Sequence, residues 1–78
     1  MIKEFERIIL NENNPEKHLI KGDIGSVVMI YENGKAYEVE FITLTGKTVA
    51  VVTLDSHQIR QIRKNEISHV REFEEEFA

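Results

Sequence analysis

The stretch Asp55-Ser56-His57 contains, in consecutive positions, the three side chains of a serine hydrolase triad. The members of a triad converge in space from separate segments, and sequence neighbours cannot adopt that geometry. A short polar stretch between apolar segments is instead typical of a turn, with Asp55 hydrogen-bonded to nearby backbone. The stretch therefore predicts a single tight turn and no nucleophile.

Two glutamates have a spacing that could suit paired acid chemistry. Glu38 and Glu40 lie on one face of a predicted strand, roughly 6–7 Å apart by strand rise. Their neighbours Tyr37, Val39 and Phe41 occupy the other face. Because the apolar set takes the core side, we expect the glutamates to be solvated, and the sequence does not predict an enzyme.

The pair Gly22-x-x-Gly25 does not form a phosphate-binding loop. Such a loop needs a longer glycine spacing and must open a helix, whereas β-branched apolar residues follow here. The sequence predicts a structural turn in which Gly25 has a positive φ or lies very close to another segment. The predicted turn residues are Gly22, Asp23, Gly25, Asn33, Gly34 and Gly46.

Metal and cofactor chemistry has little support in the sequence. The chain has no cysteine, which excludes disulfides and thiolate zinc sites. His18, His57 and His69 are far apart and form no short-range ligand pair. We therefore predict surface or turn histidines, no metal site and no cofactor.

The charge is unevenly distributed along the 78 residues, which are enough for one domain over 1–78. The net charge is −4, and the stretch Glu72–Ala78 contains four glutamates and no basic residue. The remainder has ten basic and ten acidic residues, so it is neutral and matches nucleic acid poorly. No apolar run approaches about 18 residues, so we expect no membrane span and a cytoplasmic location.

Alternating and β-branched apolar residues predict five strands joined by short turns. The strongest hairpin signal is Asn33-Gly34, and Thr45-Gly46 is the next tight turn. The expected strands span 5–10, 24–32, 36–44, 47–54 and 58–63, with a long loop at 11–21 pinned to the core by Leu19 and Ile20. The predicted core is Val28, Val39, Phe41 and Val52.

The segment after the fifth strand is ambiguous. Ile67, Val70, Phe73 and Phe77 fit one helical face, but we favour an extended segment through about Arg71, followed by an acidic tail at 72–78. This order of strands, with one long loop between the first and second, predicts an all-β, five-stranded SH3-like barrel over about residues 5–71. Gly25→Val and Phe41→Ala are expected to destabilise it, whereas the tail is expected to be dispensable for folding.

The turn and strand at 21–28 resemble the entry of KOW and related SH3-like domains. A wider pattern, at 7–10, 19–28, 37–41, 48–54, 59–60 and 66–71, is similar to the bacterial family called domain of unknown function 4926. The resemblance covers about residues 7–71 and implies the fold, with no catalytic residues. It also implies a small protein encoded beside another small protein, an arrangement typical of toxin–antitoxin or immunity pairs.

Candidate binding residues form two groups. The basic cluster contains His57, Arg60, Arg63 and Lys64, and its alternatives are a solvated edge, which we favour, or a contact with phosphate or an acidic partner. The second group is the rim residue Tyr31, with Tyr37 and Leu19 nearby, where packing competes with a peptide groove.

These observations predict a non-enzymatic protein-interaction module with a protein partner. Within the resembled family, it would be the antitoxin-like or accessory member of a two-protein bacterial system. The alternative is an RNA- or ribosome-associated KOW-type module, which the neutral body and acidic tail disfavour.

Overall fold

The computed structural model describes residues 1–73, and the strands form where apolar residues alternate. Two short 3₁₀ turns, η1 and η2, accompany them. The elements are β1 (Arg7–Leu10), η1 (Pro15–Lys17), β2 (Ile24–Tyr31), β3 (Ala36–Ile42), β4 (Thr48–Asp55), η2 (Ser56–Gln58) and β5 (Ile59–Gln61).

All five strands belong to one antiparallel sheet with the order β4-β3-β2-β1-β5. The long strand β2 joins the two parts of the sheet, because its first residues pair with β1 and its remainder pairs with β3. The all-β class is confirmed. The closed barrel is not, because β4 and β5 are the two edges of the sheet in the described part of the chain.

Strand β3 shows why alternation was a reliable signal here. Tyr37, Val39 and Phe41 are all buried, and they face Leu54, Val52 and Ala50 of β4. Val39 and Phe41 are 0% and 2% exposed, so these two predicted core residues are confirmed. The residues between them are half-buried, as the period of two requires.

A β-bulge moves Val28 out of the core. The pairing shifts between Val27, opposite Val39, and Met29, opposite Glu38, so Val28 is the additional residue of β2. Val27 is fully buried and Val28 only half-buried, so the predicted core position was wrong by one residue. Val52, also predicted in the core, is half-buried and packs against it.

Gly25 lies inside β2, opposite Ile8, and not in a turn as the sequence suggested. Its φ is not positive, whereas Gly22 has a φ of +100° in the turn before the strand. A Cβ atom on Gly25 would lie 2.6 Å from Val39 Cγ1 and 2.9 Å from Phe41 Cε1. Close approach is therefore what requires glycine here, because a side chain would overlap two core residues.

The long loop is attached to the core by one side chain rather than two. Leu19 is 3% exposed, whereas Ile20 is 45% exposed, which corrects the expectation that both are anchors. After β5, which has three residues rather than the predicted six, residues 62–73 form neither strand nor helix. The segment that we predicted to be extended through about Arg71 therefore forms no strand, and no helical face forms at Ile67, Val70 and Phe73.

Of the predicted acidic tail at 72–78, the structure describes only Glu72 and Phe73. Residues 74–78 lie outside the described part of the chain. Within residues 1–73, no helix has the length and apolar character needed to cross a membrane.

Candidate interaction surface

The long loop is held in one conformation by its own asparagines and by Asp23. Asn13 Oδ1 accepts the Lys21 N–H at 2.8 Å, and Asn14 and Leu19 pair through two backbone hydrogen bonds of 2.8 and 3.0 Å. Asp23 Oδ2 accepts the Ile20 N–H at 2.9 Å. Short polar side chains that bond nearby backbone stabilise irregular conformations, so this loop is ordered although its strand-like pairing is limited to the Asn14–Leu19 bridge.

The beginning of the loop is joined to η2. The Asn11 N–H donates to Gln58 O at 2.8 Å, and the Asn11 side-chain amide donates to His57 O at 3.3 Å. Gln58 Nε2 donates to Glu12 Oε2 at 2.9 Å, while Gln58 Oε1 accepts the Asp55 N–H at 2.7 Å. Gln58 therefore connects the end of β4 to the loop.

An open groove lies between the loop and the end of β4. Its deepest residues, Leu10 and Leu54, are 1% and 3% exposed, whereas Glu12 and Glu16 are exposed at its mouth. The groove is lined by Leu10, Glu12, Asn13, Asn14, Pro15, Glu16, Leu54 and Gln58. Because the two leucines are almost fully buried, the accessible lining is acidic and rich in amides, which suits a basic or polar protein segment.

The second predicted group of binding residues contains two buried residues and one exposed residue. Leu19 and Tyr37 are core residues, so their side chains present no surface to a partner. Tyr31 is 36% exposed, and its hydroxyl donates to Glu38 Oε1 at 3.3 Å. Desolvation and the Glu38 carboxylate raise the pKa of Tyr31. Tyr31 ends β2, whereas the long loop precedes it, so Tyr31 and the loop lie at opposite ends of the strand.

The basic cluster is partly neutralised by Glu66, a residue that the sequence did not single out. Arg60 donates to both Glu66 oxygens, with Nη1–Oε1 at 3.0 Å and Nη2–Oε2 at 2.6 Å, and the Arg63 N–H donates to Oε1 at 2.6 Å. These hydrogen bonds lower the pKa of Glu66 to about 2 and raise the pKa of Arg60. His57 and Arg63 are exposed, and His57 Nε2 lies 3.9 Å from Asp55 Oδ2.

A second arginine fixes the C-terminal segment to the loop. Arg71 donates from Nε and Nη2 to the two Asp23 oxygens at 2.8 and 2.7 Å, and from Nη2 to His18 O at 3.2 Å. The Phe73 ring lies 6.3 Å from the His18 ring and 5.9 Å from the Arg71 guanidinium carbon. The Asp23 hydrogen bonds raise the pKa of Arg71. Its partner is 48 residues away, so no sequence pattern indicated the contact.

Within residues 1–73, no group of three or more His, Asp or Glu side chains is placed to hold a metal ion. Glu38 and Glu40, the predicted solvated pair, hydrogen-bond hydroxyl groups on the outer face of the sheet. Glu38 Oε1 accepts from Thr53 at 2.6 Å, and Glu40 Oε2 accepts from Thr48 at 2.8 Å.

The geometry defines a small all-β domain with an ordered loop and an open acidic groove. The chain belongs to the family described as Domain of unknown function (DUF4926), whose family model matches residues 4–61. The match ends at β5, so it does not include the segment with Glu66 and Arg71 that we expected it to cover. No curated protein and no solved structure matches the chain.

Proposed function

We propose that this protein is a non-enzymatic protein-interaction module whose partner binds the groove between the long loop and η2. The observation that carries the proposal is the ordered loop itself. The side-chain oxygens of Asn13, Asn14 and Asp23 accept backbone N–H groups of the loop and so fix it. Gln58 fixes its start, although the charged side chains of the loop are exposed. A surface ordered before binding loses less entropy when a partner docks.

The charge of the groove supports a partner segment with basic residues. Glu12 and Glu16 line its mouth, and the whole chain has a net charge of −4. Opposite charge on the partner would steer its approach and select its orientation.

We further propose that the protein is the antitoxin-like or accessory member of a two-protein bacterial system located in the cytoplasm. The strand order β4-β3-β2-β1-β5 and the bulged, shared β2 support an SH3-like, KOW-like barrel as the fold.

The alternative is an RNA- or ribosome-associated module. It depends on the basic cluster at His57, Arg60, Arg63 and Lys64, of which Arg60 is already paired with Glu66. A single partly neutralised cluster releases few counterions from a phosphate backbone. We therefore favour the protein partner.

The test begins with a photo-crosslinking amino acid at position 16, which lines the groove, and at position 32, an exposed control in the β2–β3 turn. The protein captured from host cells only by position 16 is purified and titrated by calorimetry. The groove variant is Glu12→Lys with Glu16→Lys, and the matched control is Glu4→Lys with Glu32→Lys. Both double variants change the formal net charge from −4 to 0.

We expect the groove variant to weaken binding at least tenfold and the control to stay within about twofold, because local charge steers docking. Equal affinity of both variants for the captured protein would remove the groove as the binding surface. Binding of single-stranded RNA that weakens with salt and is lost in Arg60→Ala with Arg63→Ala, with nothing captured at position 16, would favour the RNA alternative.

A further inference from the structure

The segment after β5 lies beyond the match to the family model, which ends at residue 61, the last residue of β5. Residues 62–70 of this segment are all exposed. Among the described residues, no backbone–backbone hydrogen bond joins residues 67–73 to another part of the chain. The end of the segment is therefore held by side-chain contacts, which can open without breaking any pairing of the sheet.

The main contact of this segment is that of a bound arginine. Arg71 donates from Nε and Nη2 to the two oxygens of Asp23, and Nη2 also donates to the His18 carbonyl, at the end of η1. Two parallel hydrogen bonds to one carboxylate recognise the planar shape of a guanidinium as well as its charge. A lysine ammonium has no such fork, so this site on the loop selects arginine.

The loop holds the Asp23 carboxylate independently of the arginine. Asp23 Oδ2 also accepts the Ile20 N–H at 2.9 Å, and the Asp23 side chain is only 16% accessible. The Arg71 side chain is 32% accessible, so water reaches the arginine more easily than the carboxylate. Because the Ile20 bond does not involve Arg71, it keeps the carboxylate in place when the arginine leaves.

A ring two positions after the arginine completes the contact. Phe73 is half-buried, with its ring 6.3 Å from the His18 ring and 5.9 Å from the Arg71 guanidinium carbon. These three side chains line an open cleft on one side of η1. Asn13 and Pro15 line both this cleft and the groove that we assign to the partner. The cleft and the groove therefore adjoin at η1.

We propose that Asp23 and His18 form an arginine-binding site within the partner surface, and that Arg71 and Phe73 occupy it as a reversible internal competitor. The inference rests on the proposed function, because the ligand that displaces them is part of the basic segment bound in the groove. The internal ligand defines the chemistry of that part: an arginine, with an aromatic residue two positions later.

Exchange of the two ligands is favoured by how weakly the internal one is held. A partly exposed ion pair is screened by water, and a ligand on a short flexible connector has an effective concentration in the millimolar range. A partner segment already bound in the groove reaches Asp23 at a similar effective concentration and adds the contacts of the groove. Its arginine replaces Arg71, so the carboxylate keeps a cationic partner throughout.

A peptide titration tests the site without the partner. The probe is the blocked peptide His-Val-Arg-Glu-Phe, the sequence of residues 69–73, added to isotope-labelled full-length chains while the amide resonances of Ile20 and Asp23 are followed. In Arg71→Ala with Phe73→Ala, we expect saturable shifts with half-saturation on the order of 1 mM. In the wild type, whose site is occupied, half-saturation is expected to need about threefold more peptide.

Two controls define what the peptide must recognise. Adding Asp23→Asn to the double variant is expected to weaken peptide binding about tenfold, because a charged acceptor is lost. Its amide oxygen can still accept the Ile20 N–H, so the loop keeps its own hydrogen bond. A peptide with alanine in place of arginine is expected to cause no saturable shift. Equal shifts from the two peptides, or none from either, would overturn the site.

Calorimetry with the protein captured at position 16 tests the competition. Arg71→Ala with Phe73→Ala is expected to bind that protein about threefold more tightly than the wild type, because the internal ligand is gone. The matched control is Lys35→Ala with Val70→Ala, which also removes one positive charge and one apolar side chain at exposed positions. Its affinity is expected to stay within about twofold of the wild type.

The direction of the change decides between competition and simple ordering of the loop. If Arg71 only ordered the loop, its removal would weaken binding, since a less ordered surface loses more entropy when a partner docks. Equal or weaker binding by Arg71→Ala with Phe73→Ala would therefore overturn the competitor. Adding Asp23→Asn is expected to cancel the gain in affinity.

The outcomes separate this inference from the proposed function. If no protein is captured at position 16, the proposed function fails, while peptide binding that is weaker in the wild type still supports the internal competitor. If Glu12→Lys with Glu16→Lys weakens binding of the captured protein but the peptide shows no preference for arginine, the groove stands and the arginine site is overturned.

Discussion

Asp23 and Gly25 are separated by a single residue, and each holds a distant part of the chain in place. Gly25 lets β2 approach the buried side chains of Val39 and Phe41. Asp23 binds Arg71 of the C-terminal segment through a paired ionic contact that is partly exposed, with 32% of the Arg71 side chain and 16% of the Asp23 side chain accessible.

The comparison shows that a buried contact contributes more to the free energy of unfolding than a contact that water can reach. Around Gly25, any change in side-chain volume alters the free energy of unfolding, because the packed side chains cannot move apart without losing contact. At the arginine, water screens the charges and can replace the hydrogen bonds, so the contact contributes little to the free energy of unfolding. The glycine region is therefore expected to determine stability, and the arginine contacts to determine where the C-terminal segment lies.

The largest expected effect comes from removing the ring that packs beside Gly25. Phe41→Ala is expected to lower the free energy of unfolding by about 3–5 kcal/mol, because it deletes a buried side chain and leaves a cavity. A domain of this size has few kcal/mol to lose, so the variant is expected to be largely unfolded. Urea denaturation followed by circular dichroism measures the loss.

The control for this variant is Ile42→Ala, at the neighbouring position of β3, where the side chain is 53% exposed. We expect its midpoint to shift much less. Similar losses for the two variants would mean that burial does not separate the faces of β3 as described.

The next effect is overpacking at the glycine. Gly25→Val is expected to lower the free energy of unfolding by about 1–3 kcal/mol, because its first added carbon would overlap Val39 and Phe41. Combining it with Val39→Ala removes the Cγ1 methyl group that would lie 2.6 Å from the new Cβ atom. The losses in the free energy of unfolding from the two substitutions should therefore not add. Denaturation of the two single variants and the double variant gives the coupling energy. Additive losses would show that the close approach is not the cause.

A smaller effect is expected at the exposed contact. Arg71→Ala is expected to change the free energy of unfolding by about 0–1 kcal/mol, in the range of partly exposed ion pairs. The structural consequence should be larger: amide exchange of the loop residues near His18 and Asp23 is expected to increase.

A chain ending at Arg71 keeps the ion pair, and its melting temperature is expected to stay within a few degrees of the full chain's. A loss as large as that of Phe41→Ala would contradict the comparison.

The smallest effect at neutral pH, and the one with a distinct pH dependence, concerns Glu66. Its pKa in the folded protein is about 2, because Arg60 and the Arg63 N–H stabilise the carboxylate. A depressed folded-state pKa contributes stability that is present above the unfolded value, near 4.5, and is lost as the pH falls toward 2. Thermal melts of the wild type and Glu66→Gln should therefore differ at pH 6 and converge near pH 2. A difference that persists at pH 2 would mean that the carboxylate charge is not what matters.

The sequence predicted most accurately where local pattern and burial agree. The alternation through Tyr37, Val39 and Phe41 located β3 and its inner face, because a strand with one buried side has a period of two. The same rule failed at Val28, because the bulge opposite Glu38 shifts the pattern by one residue and depends on the partner strand. A bulge is a property of two strands, and neither strand alone specifies it.

The candidate site could be anticipated only in part. The loop at 11–21 was recognised from its turn-forming residues, and its length singled it out. The contact of this loop with Gln58 was not predicted, because Gln58 is 46 positions from Glu12 and belonged to the predicted fifth strand. Leu19 and Tyr37 were proposed as binding residues, since a sequence does not show whether an apolar residue at a rim faces inward or outward.

What the sequence determined by itself was the set of strands and turns, since backbone preference and residue pattern act over a few neighbouring residues. Asn33-Gly34 and the uncharged run through Val51 needed no tertiary information. The tertiary structure decided which strands became edges, and that Arg71 would be paired with Asp23. These features depend on residues that are remote in the chain, and only the folded sheet brings them within the few ångströms over which hydrogen bonds and packing act.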